Sequence, residues 1–557
     1  MTNPLNTIID LPDKIRAIAE EDPNRAALIH IKSTPWGSTK NEITTFKELS
    51  DRAERLAVGL REYGIERGTL CSFMVPPGED ALVLSLALWR IGAIMVGVEP
   101  HSHGLTKIDA CLRRVGPDVF FGTPEAFLAQ RVFGWGKDSI TRKILVGPKS
   151  APGFTTLRSL ERPVPQTPEK LDVKPTDIAV IAFTTGSTGT PKPTVMTQRN
   201  LSQVIAGVQA QWQLDSHGDI LDMPTFPIFW IIGLAHGGTV VVPPMNFATK
   251  GPGDANPGKL VKVINDNGVK SMFASPALLV NLTNYCNPRG ITLPSFKRIV
   301  SGGAEIQGPL YEAVKKMIPN GELYSNYGAT EALPVAEIDG TTVVNETWPQ
   351  SETGRGVCVG NALAGVEVRI VEITDGPIDS LESVSECGPN EVGEVIVRGP
   401  HVSDHYYQSE KDMLENKILG EELHWHRLGD TGFLDESNRL WVCGRVSHRV
   451  VTTDKTYFAL QCEPIFNTIQ HVHRSALIAL TQADGSKKPA MCIELVPGSH
   501  ESKDALRAKL KDVASQFEAT SGIEDFVFIK KLPVDRRHNA KIDRPALSRQ
   551  ASAGTIH

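Results

Sequence analysis

Residues 183–201 read FTTGSTGTPKPTVMTQRNL, a run of hydroxyls and glycines closed by a lysine. Thr184, Thr185, Gly186, Ser187, Thr188 and Gly189 offer hydroxyl and backbone N–H donors with little bulk, a combination that can wrap a phosphate closely. The glycines allow the positive φ values such a wrap needs, and Lys192 adds a point charge. The order is not the GxxxxGK[ST] of a P-loop, and a bare Gly-Ser-Thr-Gly also suits a flexible surface loop. Three further stretches carry compatible chemistry. YGATEALP (327–334) puts Thr330 and Glu331 after a tight turn, where Glu331 can hold Mg²⁺, which prefers oxygen ligands and few protein carboxylates. A helix start explains the same pair. GDTGFLD (429–435) puts Asp430 at a strand end, able to accept two ribose hydroxyls or simply to serve a hairpin. NAKIDRPAL (539–547) puts Lys541 among small residues near the C-terminus, where it meets either an acyl or phosphate oxygen, or only solvent.

Strand-like and helix-like segments alternate around these stretches, which predicts an α/β fold. Thr45-Phe46-Lys47-Glu48 reads as a capping box, with Leu49, Ala53, Leu56, Ala57 and Leu60 following at helical spacing. TLCSFMVP (69–76), DIAVIAFT (177–184), GTVVVPP (238–244), VKSMFASP (269–276) and FKRIVSGGA (296–304) are β-branched strands that run into loops of small residues. Ligands gather at such carboxyl-end loops of open parallel sheets. After about residue 360, VEVRIVEI and GEVIVRGP alternate apolar with polar residues, as half-buried antiparallel strands do. RLGDTGFLDESNRLWVCGR reads as a hairpin turning near Glu436-Ser437-Asn438. The expected architecture is a large N-terminal lobe of doubly wound sheets, a small β-barrel-like subdomain and a small mobile α/β C-terminal domain. The expected boundaries are 1–443, a hinge at 444–449, and 450–557. SRQASAGTIH at the end reads as a frayed tail.

The 557 residues are 41% hydrophobic and 22% charged with a net charge of −6, a globular composition that points neither to nucleic acid nor to an anionic membrane. No basic-then-apolar leader opens the chain. Arg90 interrupts the apolar run 81–98, and Pro227, His236 and glycines interrupt 226–244, so neither reads as a spanning helix of roughly 20 residues. The eight cysteines are scattered without a CxxC pair, which predicts free thiols and a reducing cytoplasm.

Together, in this order, the four stretches resemble the adenylate-forming superfamily of acyl-CoA synthetases, luciferase-like enzymes and adenylation domains, over about residues 10–548. The resemblance implies that a carboxylate attacks the α-phosphorus of MgATP to give an acyl-adenylate and pyrophosphate. It implies a phosphate loop at Thr184 to Gly189 with Lys192. Ser301, Gly302, Gly303 and Ala304 would border the acyl and adenine sites, and Tyr327, Gly328 and Ala329 would flank the adenine and acyl group. Thr330 would touch the α-phosphate, Glu331 the Mg²⁺, and Asp430, helped by Arg445, the ribose. Lys541 would stabilise charge on the α-phosphate and acyl oxygen. Phe229, Trp230 and Gly233 would belong to the acyl pocket, with Phe226, Ile231, Ile232 and Leu234 as further lining or plain core.

The sequence departs from the superfamily in three places. Pro193 stands where the phosphate loop usually has glycine. Ser447 stands at the hinge where Asp or Lys is usual, and the following Thr452-Thr453-Asp454-Lys455-Thr456 lacks the glycine of a thiol tunnel. PVDRRHNAK is longer than the usual lysine segment, with Ala540 for glycine. These features, with FGTPEAFLAQRVFGWGK (121–137), GRVSHRVVT (444–452) and CEPIFNT (462–468), resemble the β-lactone synthetases of bacterial olefin biosynthesis (the OleC type). That resemblance implies activation of a 2-alkyl-3-hydroxyalkanoic acid, closure by its own 3-hydroxyl, and partner enzymes of an olefin pathway. The lactone would be an olefin precursor or an end product. A long- or medium-chain acyl-CoA ligase is the alternative. His236, His448 and His538 are all open as the base for ring closure.

Overall fold

Thr45 begins a helix for the reason its neighbours suggest. Its hydroxyl accepts from the Glu48 N–H at 3.1 Å while the Glu48 carboxylate accepts from the Thr45 N–H at 2.8 Å, closing the capping box. The helix Phe46–Glu62 then buries Leu49, Ala53, Leu56, Ala57 and Leu60. The computed structural model describes residues 8–33, 39–98, 104–147, 151–165, 171–185, 191–212, 220–247, 251–534 and 542–553.

Two sheets build the large lobe. The smaller runs in the order Thr155–Thr156, Arg142–Leu145, Val119–Gly122, Leu70–Met74, Ile94–Gly97, Ile178–Thr185, Pro191–Thr197, all parallel except the final hairpin. The chain leaves Leu70–Met74 first to one side and then to the other, which makes the sheet doubly wound. The larger sheet has a parallel half, Glu322–Ala329, Arg298–Gly302, Ser271–Ala274, Leu221–Asp222, Thr239–Val241 and Ala26–Ser33. Its antiparallel half continues through Ala332–Asp339, Val357–Ala362, Arg439–Arg445, Trp425–Leu434, Gly393–Arg398 and Glu367–Val371. The antiparallel half therefore starts at Ala332, before the change of texture near residue 360, and the far edge strand Thr39–Thr45 is antiparallel to Ala26–Ser33 as well. Residues 332–339 are buried on both faces, so they carry no alternation to read. The predicted hairpin turns at Asn438, whose φ is 57°.

One apolar cluster joins the sheets, with Val119 and Phe121 from the smaller, Leu28, Phe273 and Val300 from the larger, and residues of the helices Phe46–Glu62, Glu79–Ile91 and Trp230–Ala235. Arg90, buried in that layer, is paired with Asp13 at 2.7 Å and Glu54 at 2.8 Å, as a buried cation requires. A separate core, with Val450, Phe466, Leu477, Met491 and Phe526, gathers around the sheet Val472–Thr481, Lys487–Leu495, Asp525–Ile529. The end of the chain corrects one expectation. Residues 548–552 belong to the helix Arg544–Ser552, which docks by accepting strand N–H groups of Ala479 on Ser548 and of Thr481 on Ser552. Two hydroxyls aligned one turn apart on the strand-facing side are not visible in a polar tail. All eight cysteines are free thiols, and among the described residues no helix is long and apolar enough to cross a membrane.

Candidate active site

The two sheets meet at Glu331. Thr330 and Glu331 form the two-residue turn of the hairpin in which Ala329 pairs with Ala332, so they are the turn itself rather than residues after it or a helix start. Gly328 permits the turn, because a Cβ there would stand 2.4 Å from the Ala332 carbonyl. The buried Glu331 Oε1 accepts from Thr184 Oγ1 at 2.8 Å, Thr194 Oγ1 at 3.3 Å and the Tyr406 hydroxyl at 3.3 Å. Thr184 and Thr194 come from the hairpin Ile178–Thr185/Pro191–Thr197, in which Thr184 pairs with Lys192. Gly186, Ser187, Thr188 and Gly189 lie outside the described residues, and only the backbone of Thr185 is described, as the last residue of its strand.

Lys192 donates to Asn416 Oδ1 at 2.6 Å, and burial lowers its pKa against the pull of Glu331 and Asp412. The Tyr406 ring lies 5.8 Å from the Lys192 ammonium and 5.7 Å from that of Lys417. Burial pushes Lys417 down to about 8, and its ammonium donates to the Ser403 carbonyl. Burial, then Glu331, pushes the Tyr406 hydroxyl up, so it stays a donor. Pro193 fits without loss. Val195 N–H points away from the sheet to the His405 carbonyl, and the nitrogen of Pro193, two residues earlier, shares that outward side.

Asp430 anchors a second constellation. It lies within the strand Trp425–Leu434, paired with Arg445 beside a bulge, rather than at a strand end. The local pattern DTG suggests termination, but the bulge absorbs the kink and pairing resumes. Tyr327 donates to Asp430 Oδ2 at 2.7 Å, and Arg445 Nη1 donates to Oδ1 at 2.8 Å and to the Leu428 carbonyl at 3.0 Å. Burial and then Asp430 hold the Tyr327 phenol protonated, while Asp430 raises Arg445. His448 sits next to this group. Burial, with Arg544 and Arg445, pushes it down to about 4, so it is a neutral imidazole at pH 7.

The apolar side is built differently. Phe229 stacks on Phe273 with centroids 3.7 Å apart, and Phe226 meets the same ring edge-on. Trp230 is buried and donates its indole N–H to the Pro224 carbonyl at 3.0 Å. Ile231, Ile232, Gly233 and Leu234 are buried in the same short helix, whose end His236 caps. A Cβ at Gly233 would face Val240 and Asp222 of the sheet at van der Waals distance. Ser301 is fully buried, with a hydroxyl that has no partner. Gly302 needs its bare Cα, because a Cβ would stand 2.7 Å from the Asn326 carbonyl, and Gly303 has φ 88°. Ala304 follows, half-buried, and Ala329 closes its strand.

Lys541 and His538 lie outside the described residues. Close to Lys541 in sequence, Arg544 makes a two-pronged pair with Glu463 at 2.7 Å on each oxygen. Glu305, just past Ala304, faces this pair, and burial, then Glu463, pushes its carboxyl up to about 7. Sequence reasoning missed Thr194, Tyr406, Asn416 and Lys417. Only Thr194 borders a readable motif. The other three sit in HYYQSEKDMLENKI, where no spacing marks them.

This fold and constellation are those of an adenylate-forming enzyme. The model of the AMP-binding enzyme family matches residues 15–407, and the chain belongs to that family. It is 35% identical to an olefin beta-lactone synthetase of Xanthomonas campestris pv. campestris over 98% of each chain. It is 34% identical to an olefin beta-lactone synthetase of Stenotrophomonas maltophilia over 99% of each. Among solved structures it shares its fold with an amide bond synthetase from Marinactinospora thermotolerans, with a TM-score of 0.77 and 20% identity, over 97% of this chain and 99% of that one.

Proposed function

We propose that this chain is an ATP-dependent β-lactone synthetase acting on a 2-alkyl-3-hydroxyalkanoic acid. The observation that carries the reading is the end-to-end similarity to two olefin beta-lactone synthetases, hinge and C-terminal segment included. In the first step a carboxylate oxygen of the substrate attacks the α-phosphorus and pyrophosphate leaves. In the second the 3-hydroxyl oxygen attacks the acyl carbonyl, the bond to AMP breaks, and the hydroxyl proton passes to a base or to solvent. Holding both reacting groups in one molecule supplies a proximity term worth about 7–11 kcal/mol in favourable cases.

The loop from Thr184 to Gly189 with Lys192 would cradle the β- and γ-phosphates, and Thr330 the α-phosphate. Ser301 to Ala304 and Tyr327 to Ala329 would border the adenine and acyl groups. The Tyr327–Asp430–Arg445 group would take the ribose, and Phe229, Trp230 and Gly233 would shape the acyl pocket. Glu331 suits Mg²⁺. Among the described residues its hydroxyl partners converge on Oε1, leaving Oε2 for a cation that keeps its other ligands from water and phosphate. Bound there, the ion would neutralise phosphate charge. Lys541 would meet charge developing on the α-phosphate and acyl oxygen, a preorganised term that is often the largest in catalysis.

The segment 444–449 would act as the hinge between 1–443 and 450–557, with Arg544–Glu463 keeping the lysine segment attached to the moving unit. The glycine-free segment after the hinge supports internal closure over a thiol acceptor. Thr452 and Lys455 close a tight turn on themselves, and the Lys455 ammonium donates to the Glu518 carbonyl and to Ser521 Oγ. The free thiols suit a reducing cytoplasm, and the olefin-pathway relatives suit assembly with other enzymes of such a pathway. The test is a product assay with MgATP and a synthetic 2-alkyl-3-hydroxy acid, with and without CoA, read by NMR. Lactone and AMP without CoA are expected. A thioester formed only with CoA would establish the acyl-CoA ligase reading instead.

A further inference from the structure

Asn326 holds a hydrogen-bond acceptor with nothing to accept. Its residue is 6% exposed, and its Oδ1 has no partner. Buried acceptors in that state are uncommon and cost stability. The residue precedes Tyr327 on the strand that ends in the Thr330–Glu331 turn. By register, Phe273 lies opposite Val300, and Gly302 opposite Asn326, so all four rise from one face of the large sheet. Phe273 and Val300 belong to the apolar layer shared with Phe229 and Trp230. Gly302 raises no side chain beside the amide.

The orientation of the amide is fixed from behind. Glu337 lies opposite Asn326 on the next strand, and its carboxylate accepts from Trp212 Nε1 at 2.9 Å, Gln211 Nε2 at 3.3 Å, Arg298 Nη1 at 3.4 Å and Asn326 Nδ2 at 3.5 Å. Arg298 is itself clamped over the Tyr324 ring at 3.9 Å. A carboxylate only accepts, so the NH₂ of Asn326 must face it and the carbonyl oxygen must face the other way.

We propose that Asn326 Oδ1 accepts a hydrogen bond from the 3-hydroxyl of the acid substrate and selects 3-hydroxy acids over acids that lack this group. The inference rests on the β-lactone reading and adds the residue that reads the hydroxyl. The amide shares its sheet face with Phe273, which stacks on Phe229 of the proposed acyl pocket. The hydroxyl is the one donor such a substrate carries into an apolar layer. An amide oxygen is too weak a base to remove the proton, so Asn326 positions the nucleophile and does not deprotonate it.

The experiment compares pyrophosphate exchange, which reports adenylation alone, for a 2-alkyl-3-hydroxy acid and the matched acid without the hydroxyl. The wild type should favour the hydroxy acid by about 10- to 100-fold in kcat/KM, the range for leaving a buried acceptor unpaired. Asn326→Leu, close in volume, and Asn326→Ala should both bring the hydroxy acid down to the rate of its analogue. The analogue's own rate and the KM for ATP should stay within about threefold of wild type. Loss in equal proportion for both acids would mean that Asn326 only packs against Glu337, and the proposal would fall. Equal use of the two acids by the wild type would overturn it with no variant at all. Wild type that discriminates in exchange yet yields no lactone would sink the proposed function and leave the role of Asn326 standing.

Discussion

The side proposed to hold the nucleotide and the side proposed to hold the acid share one strand, Glu322–Ala329, and are built on opposite principles. Around Glu331 and Asp430 the hydroxyl, phenol and guanidinium donors are already engaged. Three hydroxyls converge on one carboxylate oxygen, and a phenol and a guanidinium divide the oxygens of the other. Burial keeps Tyr406 and Tyr327 protonated, so both remain donors to those carboxylates. Around Phe229 and Phe273 the contacts are ring on ring, and the Asn326 oxygen is left open. ATP is the same in every turnover, so its site can be organised in advance, and charge set in place before the reaction costs no reorganisation during it. The proposed acid carries two alkyl arms, which adaptable apolar surface with few polar determinants suits.

Three substitutions would break this comparison if it is wrong, and each should act on every acid alike. Lys541→Ala should have the largest effect, lowering pyrophosphate exchange by about 10²- to 10³-fold while ATP binding by calorimetry persists. An unchanged exchange rate would remove Lys541 from the chemistry. Glu331→Gln comes next. It keeps the shape but loses the charge that attracts a cation, so the Mg²⁺ concentration for half-maximal exchange should rise at least tenfold. A wild-type magnesium titration would end the assignment. Asp430→Ala should be the mildest, raising the KM for ATP about tenfold by releasing Tyr327 and Arg445 together, with kcat within a few-fold of wild type. A ratio of hydroxy to analogue acid that moved in any of these three would show that the two sides are coupled rather than separate.

Much of this was legible in the amino-acid sequence, because local chemistry dictates it. A capping box is fixed by two residues three apart, and Thr45 and Glu48 sufficed to start a helix. Strands at Ile178–Thr185 and Arg298–Gly302 followed from their β-branched runs ahead of small residues, and the turn at Asn438 from the residues around it. The family was legible in short motifs spread along the chain. Where pairing overrides local pattern, the sequence misled: Ala332–Asp339 hides its antiparallel pairing behind two buried faces, Asp430 sits inside a bulged strand, and a polar tail folds as a helix.

Tertiary structure alone decided who stands next to Glu331. Thr184 lies 147 residues away from it in the chain, Thr194 lies 137 away and Tyr406 75 away. No spacing rule spans such separations, because the distance is set by the stacking of two sheets rather than by the period of one element. The same reason hid Asn326. Its residue type is ordinary, and only the strand register that places Glu337 behind it and Gly302 beside it leaves one buried oxygen unpaired.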